Sequence, residues 1–127
     1  MRPRALPICW PFDARIIIED EFLTAQLIED RLRELGFTSF AFAMDEEEAV
    51  AAAREQCPDL VTSDVQLLKG CGIDAVQQIC DGKQIPVLYI TGSAMMVRER
   101  CPWAVVIQKP FGMADLRNGV SDARKAA

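Results

Sequence analysis

From residue 14 onward the chain alternates short apolar runs with amphipathic stretches. The runs are Arg15-Ile16-Ile17-Ile18, Leu60-Val61-Thr62, Ile85-Pro86-Val87-Leu88-Tyr89-Ile90 and Ala104-Val105-Val106-Ile107, with a weaker one at Ser39-Phe40-Ala41-Phe42. The first four are continuously apolar, which predicts strands buried on both faces of a parallel sheet. Between them, Phe22, Ala25, Ile28, Leu32 and Leu35 recur at helical spacing and stop at Gly36, a natural residue just past a helix end. A second helix is predicted from Asp45, where Glu48 three places on makes a variant of the capping box, through Ala49, Val50 and Ala53 to a stop before Pro58. Further helical patterns cover 73–80, a short stretch 94–100, and 114–126. Five β–α repeats imply a doubly wound α/β domain with right-handed crossovers and helices on both sheet faces.

At 127 residues, 50% hydrophobic and 26% charged, the chain suits one folded domain. We expect residues 1–13 to be a loose arm, pinned by Trp10 and Phe12, and 14–127 to be the domain, with no room for an attached effector. Net charge is −5 and no stripe of Lys or Arg forms, which argues against nucleic acid or an anionic membrane as partner. The acidic run Asp45–Glu48 is explained by a helix N-terminus, where each negative charge gains roughly 0.3–1 kcal/mol. No run is long enough to span a membrane, and Pro3, Pro7 and Pro11 interrupt any signal sequence. Five cysteines without a C-x-x-C pair point to free, buried thiols in a reducing cytoplasm. The chain has no histidine, so imidazole bases, His metal ligands and a histidine phosphoryl donor are all excluded within it.

In open α/β sheets, function gathers at the carboxyl ends of the strands. Here those ends carry Glu19-Asp20, Asp64, Thr91-Gly92 and Lys109-Pro110. Two carboxylates about 4 Å apart repel by about 4 kcal/mol at an effective dielectric near 20. A hard divalent cation relieves that, and Mg²⁺ held by few carboxylates and several waters is the usual solution. Beside it Asp64 stays ionised and can act as a nucleophile toward a phosphoryl group, with Lys109 and the Thr91 hydroxyl meeting phosphoryl oxygens.

The strings IIIEDE, PDLVTSD, LYITGS and VIQKPF, in that order, resemble the receiver domain of two-component response regulators. The resemblance covers about Ala14 to the C-terminus and implies the flavodoxin-like strand order 2-1-3-4-5. It implies Asp64 as phospho-acceptor and Asp20 as direct metal ligand. Glu19 would act through metal-bound water, and Gln66 would offer its backbone carbonyl to the metal. Thr91 matches the switch hydroxyl, and Lys109 the phosphate-binding lysine before Pro110, a candidate for a cis peptide. SDVQLLKGCGIDAVQQI and the Thr91-Gly92 pair resemble the PhyR- and FATGUY-type receivers of the alphaproteobacterial general stress response. A sensor histidine kinase or histidine phosphotransfer protein would then be the donor, and another protein the downstream partner.

Three positions depart from the family pattern. Leu68 stands where proline is common four places after the acceptor, Val106 where an aromatic switch residue is usual, and the fourth helix is short. They leave open a second reading, a phosphorylation-independent interaction module on the same fold. A dehalogenase-type phosphatase would need a second aspartate two places after the nucleophile, where Gln66 stands, so the chain reads as a signalling domain and not an enzyme.

Overall fold

The computed structural model describes residues 14–127, so the expected arm with Trp10 and Phe12 lies outside the described residues. In chain order the elements are β1 Arg15–Ile18, α1 Phe22–Glu34, β2 Phe40–Ala43, α2 Glu46–Glu55, β3 Leu60–Ser63, α3 Gly72–Ile79, β4 Val87–Thr91, α4 Ala94–Arg100, β5 Val105–Gln108 and α5 Met113–Ala126. The strands form one sheet in the order β2-β1-β3-β4-β5, every neighbouring pair parallel. This is the doubly wound, flavodoxin-like arrangement, and it places the ends of all five strands along one edge.

The alternation of side chains along each strand builds two cores. Ile16, Ile18, Val61 and Tyr89 face α2, α3 and α4, whereas Ile17, Leu60, Leu88 and Ile90 face α1 and α5. β1 and β3 are buried along their full length. The outer strands β2 and β5 are only half-buried, because each has a neighbour on one side alone; the expectation of burial on both faces fails for β5.

Local chemistry explains most element ends. Gly36 takes a φ of 102°, and the N–H groups of Gly36 and Phe37 return to the carbonyls of Arg33 and Leu32, closing α1 in a Schellman motif. Phe37 is then buried, with the Arg15 and Arg124 guanidinium groups 4.9 and 4.7 Å from its ring centre. The Asp45 side chain accepts from the Glu48 N–H at 2.8 Å, which caps α2. β2 starts one residue later than predicted, since Ser39 has a φ of 64° and cannot extend the strand. β4 starts at Val87 and not Ile85, because Pro86 has no N–H to give the ladder, although its carbonyl accepts from the Val61 N–H at 2.9 Å.

Cys71, Cys80 and Cys101 are free thiols. Cys57 is disulfide-bonded, a departure from the expectation of free thiols throughout. No helix among the described residues is long and apolar enough to cross a membrane.

Thr62 is in register with Ile17 and Leu88 and so points into the α1–α5 core. It is 1% exposed, and among the described residues its hydroxyl has no hydrogen-bond partner. Thr62→Val keeps the shape and the β-branch while removing the unsatisfied group. It is expected to raise the unfolding free energy by about 1 kcal/mol, read from the midpoint of urea denaturation at unchanged slope.

Candidate functional site

Four of the five strands deliver chemistry to the shared edge. β1 ends at Ile18, and the next two residues are Glu19 and Asp20; Asp64 follows β3, Thr91 closes β4 and Lys109 follows β5. Main-chain bonds fix these tips against one another. Glu19 N–H donates to the Ala43 carbonyl at 2.9 Å, Asp64 N–H to Ile18 at 3.0 Å and Lys109 N–H to Thr91 at 2.8 Å. The Lys109–Pro110 peptide is cis.

The side chains then meet. The Lys109 ammonium donates to Glu19 Oε1 at 2.8 Å and to Asp64 Oδ2 at 2.9 Å. Asp64 Oδ1 accepts from the Val65 N–H at 2.6 Å, and Glu19 Oε2 accepts from the Glu21 N–H at 3.1 Å. Glu19, Asp20 and Asp64 each present an oxygen within 4.8 Å of the others. Glu19 is the most deeply placed, 3% exposed, while Asp20 and Asp64 are half-buried.

Burial raises the Glu19 pKa above its ordinary 4.5, against the pull of the Lys109 and Glu21 contacts. Burial works in the opposite sense on the Lys109 ammonium, but its bonds to Asp64 and Glu19 and their charges outweigh it. The net effect raises Lys109 above its ordinary 10.5 and keeps it charged at neutral pH.

Two predicted residues stand beside this cluster without bonding to it. Thr91 is buried, and its hydroxyl accepts from the Ser93 N–H at 3.0 Å, within its own loop. The Gln66 side chain is exposed, and its backbone forms an isolated antiparallel bridge with Cys71 across the loop after Asp64. Of the two adjacent methionines, Met96 packs on the core and Met95 is 72% exposed.

Three residues shape the site that sequence reasoning did not single out for it. Glu46, read as part of a helix N-terminus, fastens the loop after Asp64. Its N–H donates to the Lys69 carbonyl at 3.1 Å, its Oε1 accepts from the Cys71 N–H at 3.2 Å and its Oε2 from the Gln78 amide at 2.7 Å. The loop that lacks proline at Leu68 is therefore held from outside by hydrogen bonds. Gly72 begins α3 so close to β3 that a Cβ there would overlap the Asp64 carbonyl oxygen and press on the Ser63 hydroxyl. Gln108 bonds to the loop after β4 through both ends of its side-chain amide. The side-chain partners of Glu46, Cys71 in this loop and Gln78 on α3, lie 25 and 32 residues away, and no local pattern announces such bonds.

The family model of the response regulator receiver domain matches residues 16–121. The phyllosphere-induced regulator PhyR of Methylorubrum extorquens is 36% identical over 112 residues, which are 85% of this chain and 42% of that protein. The chain spans about half the length of the first curated relatives it matches. Among solved structures, the receiver domain of PhyR from Erythrobacter litoralis aligns with a TM-score of 0.79 at 32% identity, covering 89% of this chain and 90% of that one. The receiver domain of the sensor histidine kinase PA1611 from Pseudomonas aeruginosa, solved with a magnesium ion in its active-site cleft, aligns at 0.74 and 28% identity over 86% of this chain and 94% of that one.

Two predictions follow the geometry. Gly72→Ala drives a methyl group into the Asp64 carbonyl and is expected to cost about 1–3 kcal/mol by chemical denaturation, the range for forced overpacking. An acid whose pKa is higher folded than unfolded holds its proton more tightly in the folded state. Its contribution to stability is therefore greatest at low pH and is lost as pH rises from 4.5 through the folded value. In metal-free protein, wild type should lose stability relative to Glu19→Gln between pH 4.5 and neutrality, as measured by paired urea titrations.

Proposed function

Because the chain belongs to the response regulator receiver domain family, we propose that Asp64 accepts a phosphoryl group from a phosphohistidine, on a sensor histidine kinase or a histidine phosphotransfer protein, and that the change alters protein–protein binding. The observation that carries this reading is the Lys109 ammonium bonded to Asp64 at 2.9 Å, with Glu19 and Asp20 alongside. An aspartate carboxylate can act as a nucleophile toward phosphorus. One Asp64 oxygen attacks phosphorus, the P–O bond forms as the P–N bond breaks, and the imidazole leaves with the electron pair. Lys109 stabilises charge on the phosphoryl oxygens, and the Thr91 hydroxyl can turn from its loop to donate to one of them.

The donor set also fits a magnesium ion. Three carboxylates converge with oxygens within 4.8 Å, the hard-ligand chemistry that Mg²⁺ prefers. Asp20, Asp64, Glu19 through a water, and the Gln66 backbone carbonyl would hold it. When bound, Mg²⁺ neutralises charge on the transferring group. The chain has no histidine, so its donor acts from another protein or another part of a longer one. Around the same edge, Phe22, Leu23, Leu68 and Met95 are between 68% and 80% exposed, an apolar rim suited to a protein partner. This reading places the domain in the cytoplasm, as a phospho-accepting signalling unit and not an enzyme acting on other substrates. Residues 14–127 form the receiver unit and 1–13 precede it.

Incubation with acetyl phosphate and Mg²⁺ is expected to add one phosphoryl group, seen by intact mass. Asp64→Asn should take none, and chelation of Mg²⁺ should slow labelling by at least roughly tenfold. Equal labelling of wild type and Asp64→Asn would remove Asp64 as the acceptor. An unlabelled wild type, with Asp64→Asn signalling normally in cells, would leave the phosphorylation-independent interaction module as the function.

A further inference from the structure

The family's aromatic switch position holds Val106, which packs on the α2–α4 core and has no polar group to offer the loop after β4. A different side chain reaches that loop. Gln108 closes β5 in register with Thr91. Its Nε2 donates to the Gly92 carbonyl at 2.7 Å, and its Oε1 accepts from the Ala94 N–H at 3.1 Å. The orientation of the amide is dictated by its partners, since a carbonyl only accepts and an N–H only donates.

Ala94 is the first residue of α4, and Ser93 before it gives no side-chain cap. Gln108 therefore supplies the acceptor for an otherwise orphaned helix N–H from across the loop. α4 has only seven residues, far fewer than sustain a helix in isolation, so it depends on such support and on the packing of Ala94 and Val97. The Gly92–Ser93 peptide is held at both ends, its carbonyl by Gln108 and its N–H by the Thr91 hydroxyl, and the N–H of the next peptide, at Ala94, is held by Gln108 again. The next residue after Gln108 is Lys109, whose N–H bonds to Thr91 and whose ammonium bonds to Asp64. Gln108 thus stands between the cation that faces the acceptor and the helix that follows the hydroxyl.

We infer that Gln108 is the positioning residue that couples Asp64 to α4: its two bonds hold the loop and the first turn of α4 in the unphosphorylated protein, and they open on phosphorylation. When the Thr91 hydroxyl turns toward a phosphoryl oxygen, the Ser93 N–H bonded to it follows. The Gly92 carbonyl of that same peptide, and the Ala94 N–H beyond it, are then drawn off Gln108, which β5 holds in place. This inference rests on Asp64 accepting a phosphoryl group, as proposed above.

The test is amide hydrogen exchange at residues 94–97 in wild type and Gln108→Leu, each with and without beryllofluoride and Mg²⁺, beside intact-mass labelling by acetyl phosphate. In wild type, beryllofluoride is expected to speed exchange in this segment about tenfold. Unmodified Gln108→Leu should already exchange at that faster rate, change little with beryllofluoride, and still take the phosphoryl label. Gln108→Glu, which keeps an acceptor for Ala94 but loses the donor to Gly92, should fall between the two. Wild-type protection in unmodified Gln108→Leu, or undiminished protection in wild type with beryllofluoride, would overturn the inference while leaving a labelled Asp64 intact. A wild type that takes no label would overturn the receiver reading, and this inference with it.

Discussion

One ammonium between two carboxylates holds the functional edge of this domain together. Glu19 and Asp64 leave adjacent strands, β1 and β3, and without a cation between them their charges would drive the strand tips apart. Lys109 arrives from β5, two strands beyond β3, and bonds to both. That reach requires a parallel sheet in which all strands end on one side, which in turn requires the helical crossovers that bury the two cores. Fold and site are thus consequences of the same topology. The cost of burying Glu19 is visible in its raised pKa, and it is borne because the ammonium lies at 2.8 Å.

Around that ion cluster the loops are held by hydrogen bonds where the family more often uses stiff or bulky residues. Glu46 fastens the loop after Asp64 in place of a proline at 68, and Gln108 holds the loop after β4 with no aromatic ring at 106. A single hydrogen bond contributes on the order of 1 kcal/mol net, so each such tie is within reach of being broken by a new charge on Asp64. By contrast, the tie at Gly72 is steric: the start of α3 lies against the Asp64 carbonyl with no room for a side chain. Asp64, the proposed acceptor, is consequently fixed at its backbone, while the two flanking loops are held more loosely. That difference suits the proposed function, in which a surface moves while its reactive group stays put.

Much of this was legible in the sequence. Apolar runs such as Ile16–Ile18 and Leu60–Thr62 identified central strands because burial on both faces leaves no polar alternation. Gly36 and Asp45 marked helix ends because the backbone there needs a left-handed residue or a side-chain acceptor. The set Glu19, Asp20, Asp64, Thr91 and Lys109 was visible because strand ends share an edge in any such sheet. Strand limits at Ser39 and Pro86 were missed by one or two residues, since a hydrophobic run does not reveal a local φ or a missing N–H. The work of Glu46 and Gln108 was not legible at all. It depends on contacts between loops distant in sequence, which no periodicity encodes.

The account stands or falls on which atom receives the phosphoryl group. Borohydride reduces an acyl phosphate on aspartate to a homoserine side chain, a permanent mark that tandem mass spectrometry can place on one residue. After treatment with a phosphorylated histidine kinase and Mg²⁺, the account predicts homoserine at position 64 and at no other acid. Reduction at Glu19 or Asp20, or none under conditions where the kinase loses its phosphoryl group to this chain, would contradict it.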